Sequence, residues 1–167
     1  MTNTQNPSAV TMFDGMRRLL SGVSIITATN RAGERFAMTA SSVTSVSGEP
    51  PALLVCINTT ASIDAAMASS DYFTVNVLSP KHKQMSINCA TPEMSASRFD
   101  HGHWLRHAET GLYYLGDAQA TFICKKQRST AYGTHNIYIG DVIETRVAKG
   151  EVNVLGYLDG NYLTAPQ

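Results

Sequence analysis

The stretch Thr39-Ala40-Ser41-Ser42-Val43-Thr44-Ser45-Val46-Ser47-Gly48-Glu49-Pro50-Pro51, followed directly by Ala52-Leu53-Leu54-Val55-Cys56-Ile57, decides how the rest of the chain is read. Six of the nine residues from Thr39 to Ser47 carry hydroxyls. Such side chains donate to anionic oxygens or accept from ring N–H groups. Small residues also let a backbone approach a planar ligand closely. A strand with a Ser/Thr-rich solvent face has the same composition, so composition alone leaves both readings open. The apolar run after the prolines predicts a central strand buried on both faces.

Outward from this stretch the chain reads as strands with few helices. Phe13, Met16, Leu19 and Leu20 recur at helical spacing, which predicts a helix ended by Gly22. Residues 23–29 and 36–39 read as strands around a turn at 30–33. Residues 63–68 predict a short Ala-rich helix, with Thr59, Thr60 or Ser62 available as its cap. A strand at 72–78 leads into a helix that starts at Ser79-Pro80 and runs to about residue 90. From 91 to 116 the pattern weakens, predicting a long functional loop region. Strands are expected at 118–125, 137–147 and 152–158, with turns at 149–150 and 159–161. The fold class is mainly β with short helices, arranged as an antiparallel barrel closed to remove its edges.

The 167 residues suit a single domain over 10–167, preceded by a loose polar arm at 1–9. Thirteen basic residues balance thirteen acidic ones, so no field gathers nucleic acid or an acidic membrane. Cys56, Cys89 and Cys124 are odd in number and form no CxxC pair, which argues against a disulfide framework and for a reducing cytoplasm. The first ten residues lack a hydrophobic signal core, and no apolar run approaches the ~20 residues a membrane helix needs.

The ordered motifs resemble those of the short-chain flavin reductases, the reductase components of two-component flavin monooxygenases. The Thr-Ala-Ser start at Thr39, the Ser-Val-Ser at Ser45, the Pro-Pro at Pro50 and the Val-Cys-Ile-Asn at Val55 all match that pattern. So do Val75-Asn76-Val77-Leu78, Arg98-Phe99 and Trp104, Gly133-Thr134-His135, Gly140-Asp141-Val142, and Tyr157 with Gly160 and Tyr162. Asn161 departs from it, because the family often carries Arg there.

This resemblance implies a split β-barrel of the FMN-binding type, usually a homodimer. The implied reaction is hydride transfer from NADH or NADPH to FMN or FAD, supplying reduced flavin to a partner monooxygenase. Thr39, Ala40, Ser41 and Ser42 would approach the flavin ring and ribityl chain, with Ser45, Val46 and Ser47 beside them. Cys56, Ile57, Asn58 and Thr59 would close the site from the next strand. Ser62 would offer donors to the phosphate, and Lys83 would neutralise part of its charge unless it is an exposed solubilising lysine. Cys56 reads as a packing residue rather than a nucleophile. His135 would face the nicotinamide and orient it or move a proton; the competing reading is a barrel-strand histidine satisfied by a carbonyl. No GxGxxG is present, so nicotinamide binding would not use a Rossmann crossover.

Other classes fit less well. His101, His103 and His107 form a cluster, but no HExxH-type motif accompanies them, so no metal is assigned. No GxSxG presents a nucleophilic serine. An FMN-binding electron carrier of the same fold, without free-flavin turnover, is the main alternative.

Overall fold

The computed structural model, which describes residues 10–164, opens with helix α1 (Met12–Met16) and the two-residue strand β1 (Ser21–Gly22). Strands β2 (Ser24–Thr29), β3 (Arg35–Ala40), β4 (Val43–Gly48) and β5 (Pro51–Asn58) follow, then helix α2 (Ser62–Ser69) and strand β6 (Tyr72–Val77). A 3-10 turn at Pro80–His82 enters helix α3 (Lys83–Ala90), and a second 3-10 stretch covers Pro92–Ser97. Three hairpins complete the chain: β7 (Trp104–Arg106) with β8 (Tyr113–Leu115), β9 (Ala120–Tyr132) with β10 (His135–Val147), and β11 (Leu155–Leu158) with β12 (Asn161–Thr164). The expected loose arm at 1–9 lies outside the described residues.

The main sheet has seven antiparallel strands in the order β3-β2-β6-β9-β10-β5-β4. Its two edges, β3 and β4, are consecutive in sequence and joined only by Ser41 and Ser42. Three virtual Cα bonds cap the separation of Ala40 and Val43 at about 11 Å. The sheet must therefore curl until its edges nearly meet. No β3–β4 ladder closes the gap among the described residues, so the barrel is split along this seam, as the resemblance implies, rather than fully closed. At the seam the Ser42 hydroxyl donates to the Cys56 carbonyl at 3.0 Å, extending the β4–β5 ladder by one side-chain step.

Alternation along β2 builds two cores. Ile26 and Ala28 face a cluster with Val55, Ile57, Phe73, Val75 and Tyr138, while Ile25 joins Val23, Leu78, Leu115 and Leu155 on the other side. Each such side chain contributes about 1.5–3 kcal/mol when fully removed from water. β2 and β6, not β5, are thus the strands buried on both faces. β5 lies next to the edge, with Val55 and Ile57 buried but Leu54 and Cys56 only half-buried.

Several boundaries differ from the sequence reading: the expected loop region at 91–116 holds the 3-10 stretch and the β7–β8 hairpin, β11 begins only at Leu155, and others shift for physical reasons. α1 stops at Met16 because the chain turns to Asp159: Arg17 Nε donates to its carboxylate at 3.0 Å, and the Arg17 carbonyl accepts its N–H at 2.9 Å. Leu19 and Leu20 consequently fall outside the helix and remain exposed, as do Phe13 and Met16. The N-cap of α2 is Ala61, without a side-chain cap; the Thr60 hydroxyl donates to Asn58 Oδ1 and that of Thr59 to the Thr134 carbonyl. β9 and β10 run well past the apolar alternation, since backbone pairing continues to Tyr132↔His135. Their two-residue loop places Gly133 at φ +56°, which suits the first central position of a hairpin turn.

Asn76 is fully buried and ties three elements together. Its amide donates to the Ile25 carbonyl at 2.9 Å, and its Oδ1 accepts from the Leu115 N–H at 2.9 Å. Asn76→Ala should lower the unfolding free energy by about 2–3 kcal/mol in chemical denaturation, because it strands buried groups of two neighbours. His82 is buried and caps the 3-10 turn by accepting the Ser79 N–H at Nδ1, 3.1 Å away. Burial holds its pKa below the ordinary value near 6.5, against the pull of the Asp117 carboxylate. A depressed histidine pKa gives stability that is full above the unfolded value and lost as pH falls through the folded one. The melting temperature should therefore drop as the pH falls below about 6.5, and His82→Asn, which keeps an acceptor in place of Nδ1, should flatten that slope.

Candidate functional site

Ser41 sits on the seam, exposed, between two adjoining clefts. One, of about 350 Å³, is walled by Phe13, Met16 and Leu19 on one side and by Tyr157 and Gly160 on the other. The second, of about 220 Å³, is lined by Thr39, Ser41, Tyr157 and Tyr162. The Tyr157 and Tyr162 rings meet edge to face at 5.3 Å between centroids. Tyr162 is anchored from behind, its hydroxyl 2.9 Å from Ser86 Oγ, and Thr39 donates to the Ser86 carbonyl at 2.6 Å. The result is an apolar, aromatic-walled groove with hydroxyls on its floor, a surface suited to a flat heteroaromatic ring.

A second group gathers where β5 ends beside the start of β10. Asn58 and His135 are direct partners in the antiparallel register. The Thr59 N–H donates to the Thr134 carbonyl at 3.0 Å, tying the loop after β5 to the β9–β10 hairpin. His135 is exposed, with Nδ1 2.9 Å from the Thr134 hydroxyl and no partner for Nε2 among the described residues. Gly133 is what lets this hairpin turn in two residues and present His135 at its tip.

Ser62 opens α2 beside this group, exposed, with its hydroxyl 3.5 Å from Arg98 Nη1. Since Ala61 offers no capping side chain, the first N–H groups of α2 have no side-chain acceptor. Asp64, the acid in the first turn, is engaged by β10: it accepts both Asn136 Nδ2 bonds, at 2.9 and 3.0 Å, and the Tyr138 hydroxyl at 2.8 Å. Burial, together with this carboxylate, pushes the Tyr138 hydroxyl above the usual tyrosine range. The helix end is left free for an oxyanion, so a phosphate fits the donors present.

The structure thus brings together Thr39 and Ser41 at the seam clefts, and Asn58, Thr59 and His135 at the strand ends, with Ser62 at the head of α2. Ser42 and Cys56 link the two groups through their shared hydrogen bond. Ala40 and Ile57 are buried and bring only backbone. Ser45, Val46 and Ser47 stand at the opposite end of the β4–β5 pair, where Ser45 faces Leu53. At about 3.3 Å per residue they lie roughly 16 Å along the strand from Asn58. Val46 forms the bulge that shifts the register there, and Ser47 accepts the Glu49 N–H in a local turn. Lys83 is exposed, its ammonium 5.8 Å from the centre of the Tyr162 ring, and no hydrogen bond joins it to Ser62. Burial drives the thiols of Cys89 and Cys124 up to about 11 and about 12, leaving them inert as packing groups.

Sequence reasoning missed Arg98 as the cation behind Ser62, and Asp64, Asn136 and Tyr138 as the clamp on α2. These contacts join residues about 36 to 74 positions apart, and no local pattern carries them. Among the described residues no three His, Cys, Asp or Glu side chains gather as a metal site. His107 of the histidine cluster is committed to Glu144 and Thr110, each at 2.9 Å.

The flavin reductase like domain family matches residues 16–166, and the chain belongs to that family. An FMN reductase (NADH) RutF of Variovorax paradoxus is 38% identical over 149 residues, 89% of this chain and 81% of the relative. The reductase component of an FADH(2)-dependent resorcinol hydroxylase from Rhizobium sp. is 36% identical over 135 residues, 80% of this chain and 75% of the relative. Among solved structures, the flavin reductase component BorF of a bacterial two-component tryptophan halogenase superposes with a TM-score of 0.82 at 28% identity, covering 91% of this chain and 94% of BorF. A Streptomyces globisporus NADH:FAD oxidoreductase, solved with NAD and FAD fragments, gives 0.82 at 26% identity, covering 89% and 87%. No helix among the described residues is long and apolar enough to cross a membrane.

Ser41→Tyr tests the placement of the groove. A ring planted on the seam should weaken flavin binding by about tenfold or more in a fluorescence titration, while the melting temperature stays close to that of the parent.

Proposed function

We propose that this protein is an NADH-dependent flavin reductase that passes a hydride to FMN or FAD and releases reduced flavin to a separate oxygenase component. Family membership and the activities of the relatives support the reaction. The observation that carries the site is the junction at the seam. There the exposed Ser41 hydroxyl lies in an aromatic-walled groove, while the paired ends Asn58 and His135 and the uncapped start of α2 close the neighbouring strand.

When bound, the flavin supplies the hydride acceptor and the nicotinamide the donor. The protein's task is to stack two flat rings at reacting distance and hold them there. Ser41 and Thr39 keep the floor of the groove small and polar. Ser42 and Cys56 fix the backbone spacing across the seam, and Asn58 and Thr59 hold the loop that leads to Ser62. Ser62 donates to the phosphate. His135, exposed and with Nε2 free, orients the nicotinamide. Ser45, Val46, Ser47 and Lys83 belong to the flanks of this site, not to its centre.

The chain works as one domain from residue 10 onward. Exposed Val10, Met12, Phe13, Leu19 and Leu20 on one end, with Tyr132 and Val147 on the long hairpin, support a homodimer built on these faces. Free cysteines, two of them buried, suit a reducing cytoplasm.

Steady-state NADH oxidation with FMN, FAD and riboflavin tests the reading. Flavin should stimulate NADH consumption severalfold. Tight FMN binding without such stimulation would make the protein an electron carrier instead. His135→Ala should cut kcat/KM for NADH by about tenfold while flavin affinity moves less than about twofold. A change confined to the melting temperature would assign His135 to packing.

A further inference from the structure

We propose that Arg98 is the fixed countercharge of the phosphate subsite, and therefore the residue that makes this protein prefer phosphorylated flavins to riboflavin. The inference rests on the reading of Ser62 as the phosphate donor and goes beyond it, because it assigns the charge to a residue remote in sequence.

Arg98 follows the 3-10 stretch Pro92–Ser97 and is only 8% exposed. Its guanidinium meets neutral oxygens alone. Nη1 donates to the Ala37 carbonyl at 2.7 Å and reaches Ser62 Oγ at 3.5 Å, while Nη2 donates to the Thr91 carbonyl at 3.1 Å. Nε has no partner, and no carboxylate among the described residues pairs with the group. Taking a cation out of water is costly unless an opposite charge or ideal hydrogen bonds offset the loss of hydration. Three carbonyl or hydroxyl acceptors fix its orientation but leave its charge uncompensated. Of its three partners Ser62 alone is exposed, so an anion can come near the guanidinium past that hydroxyl.

That approach is built for an anion. Because Ser62 Oγ accepts from Arg98, its own O–H is directed away from the guanidinium, toward solvent. The Asp64 N–H is taken by the Ala61 carbonyl, and the N–H groups of Ser62 and Ile63, without a side-chain acceptor, add their partial positive charge. Asp64, whose carboxylate would repel an anion, has that charge taken up by Asn136 and Tyr138. Lys83 stands over the Tyr162 ring instead. Arg98 acts through Ser62 and through its field, so it is a positioning residue. Its effect falls on ligands with a phosphate and spares riboflavin, which shares the ring and ribityl chain but has none.

The test titrates FMN and riboflavin against the full-length protein by flavin fluorescence, comparing the parent with Arg98→Met, Arg98→Lys and Ser62→Ala. Arg98→Met should weaken FMN by about tenfold and riboflavin by less than about twofold, collapsing the preference. Arg98→Lys keeps a cation but cannot serve Ala37, Thr91 and Ser62 together. It should reduce the preference by about threefold, and it decides the matter if Arg98→Met does not fold. Equal weakening of FMN and riboflavin in the folded Arg98 variants would reduce Arg98 to a structural strut and overturn the proposal. If Ser62→Ala lowers the preference and neither Arg98 variant does, the phosphate reading stands and the role of Arg98 is refuted. If no variant moves it, the phosphate reading has failed as well.

Discussion

Two residues impose the geometry on which everything else depends. Ser41 and Ser42 must carry the chain from one edge of a seven-stranded sheet to the other, and so short a connection forces the sheet to curl. The curl buries one face of β2, while Cys89, Leu115 and Leu155 cover the other, and the pairing of β5 with β10 sets the start of α2 beside the start of β10. The curl also leaves a seam without a ladder, where hydroxyls rather than paired backbone face outward. A binding groove at such a place costs the core little, because the hydrogen bonds it lacks were never part of the barrel.

Much of this was legible from sequence where burial and periodicity coincide. Residues 23–29 and 72–78 alternate or run apolar because both faces are packed, and the structure has β2 and β6 there. The Thr39–Ser47 hydroxyls likewise marked the neighbourhood of the seam. The reading failed where the two signals separate. Phe13, Met16, Leu19 and Leu20 have helical spacing, but an ion pair from Arg17 to Asp159 bends the segment after one turn. Residues 126–132 lose their alternation because that part of the hairpin is solvated, although its backbone pairing continues. Ser45, Val46 and Ser47 look equivalent to Ser41 and Ser42 in composition, and only the register shows that they stand at the other end of the strand. The Arg98–Ser62 contact could not be read locally at all, since it depends on how the 3-10 stretch packs behind β3.

Buried polar groups divide the molecule into two regimes. Asn76 meets a carbonyl, an N–H and hydroxyls and is satisfied within the fold. Asp64 is equally well served by Asn136 and Tyr138. Arg98, by contrast, has its hydrogen bonds mostly met and its charge unmet. The first kind specifies a single packing arrangement. The second kind carries a deficit that a ligand can fill, and it lies beside the exposed end of a helix.

The seam also bears on how the protein behaves among copies of itself. An open sheet presents two rows of unpaired N–H and C=O groups, each able to recruit a strand from another chain. Here one connector turns both rows toward each other, and β4 adds a bulge at Val46 that bends the edge out of register for a flat partner. Lengthening the Ser41–Ser42 link would release both edges at once. The brevity of that link is thus a safeguard against strand-mediated aggregation, set by loop length rather than by any charged gatekeeper.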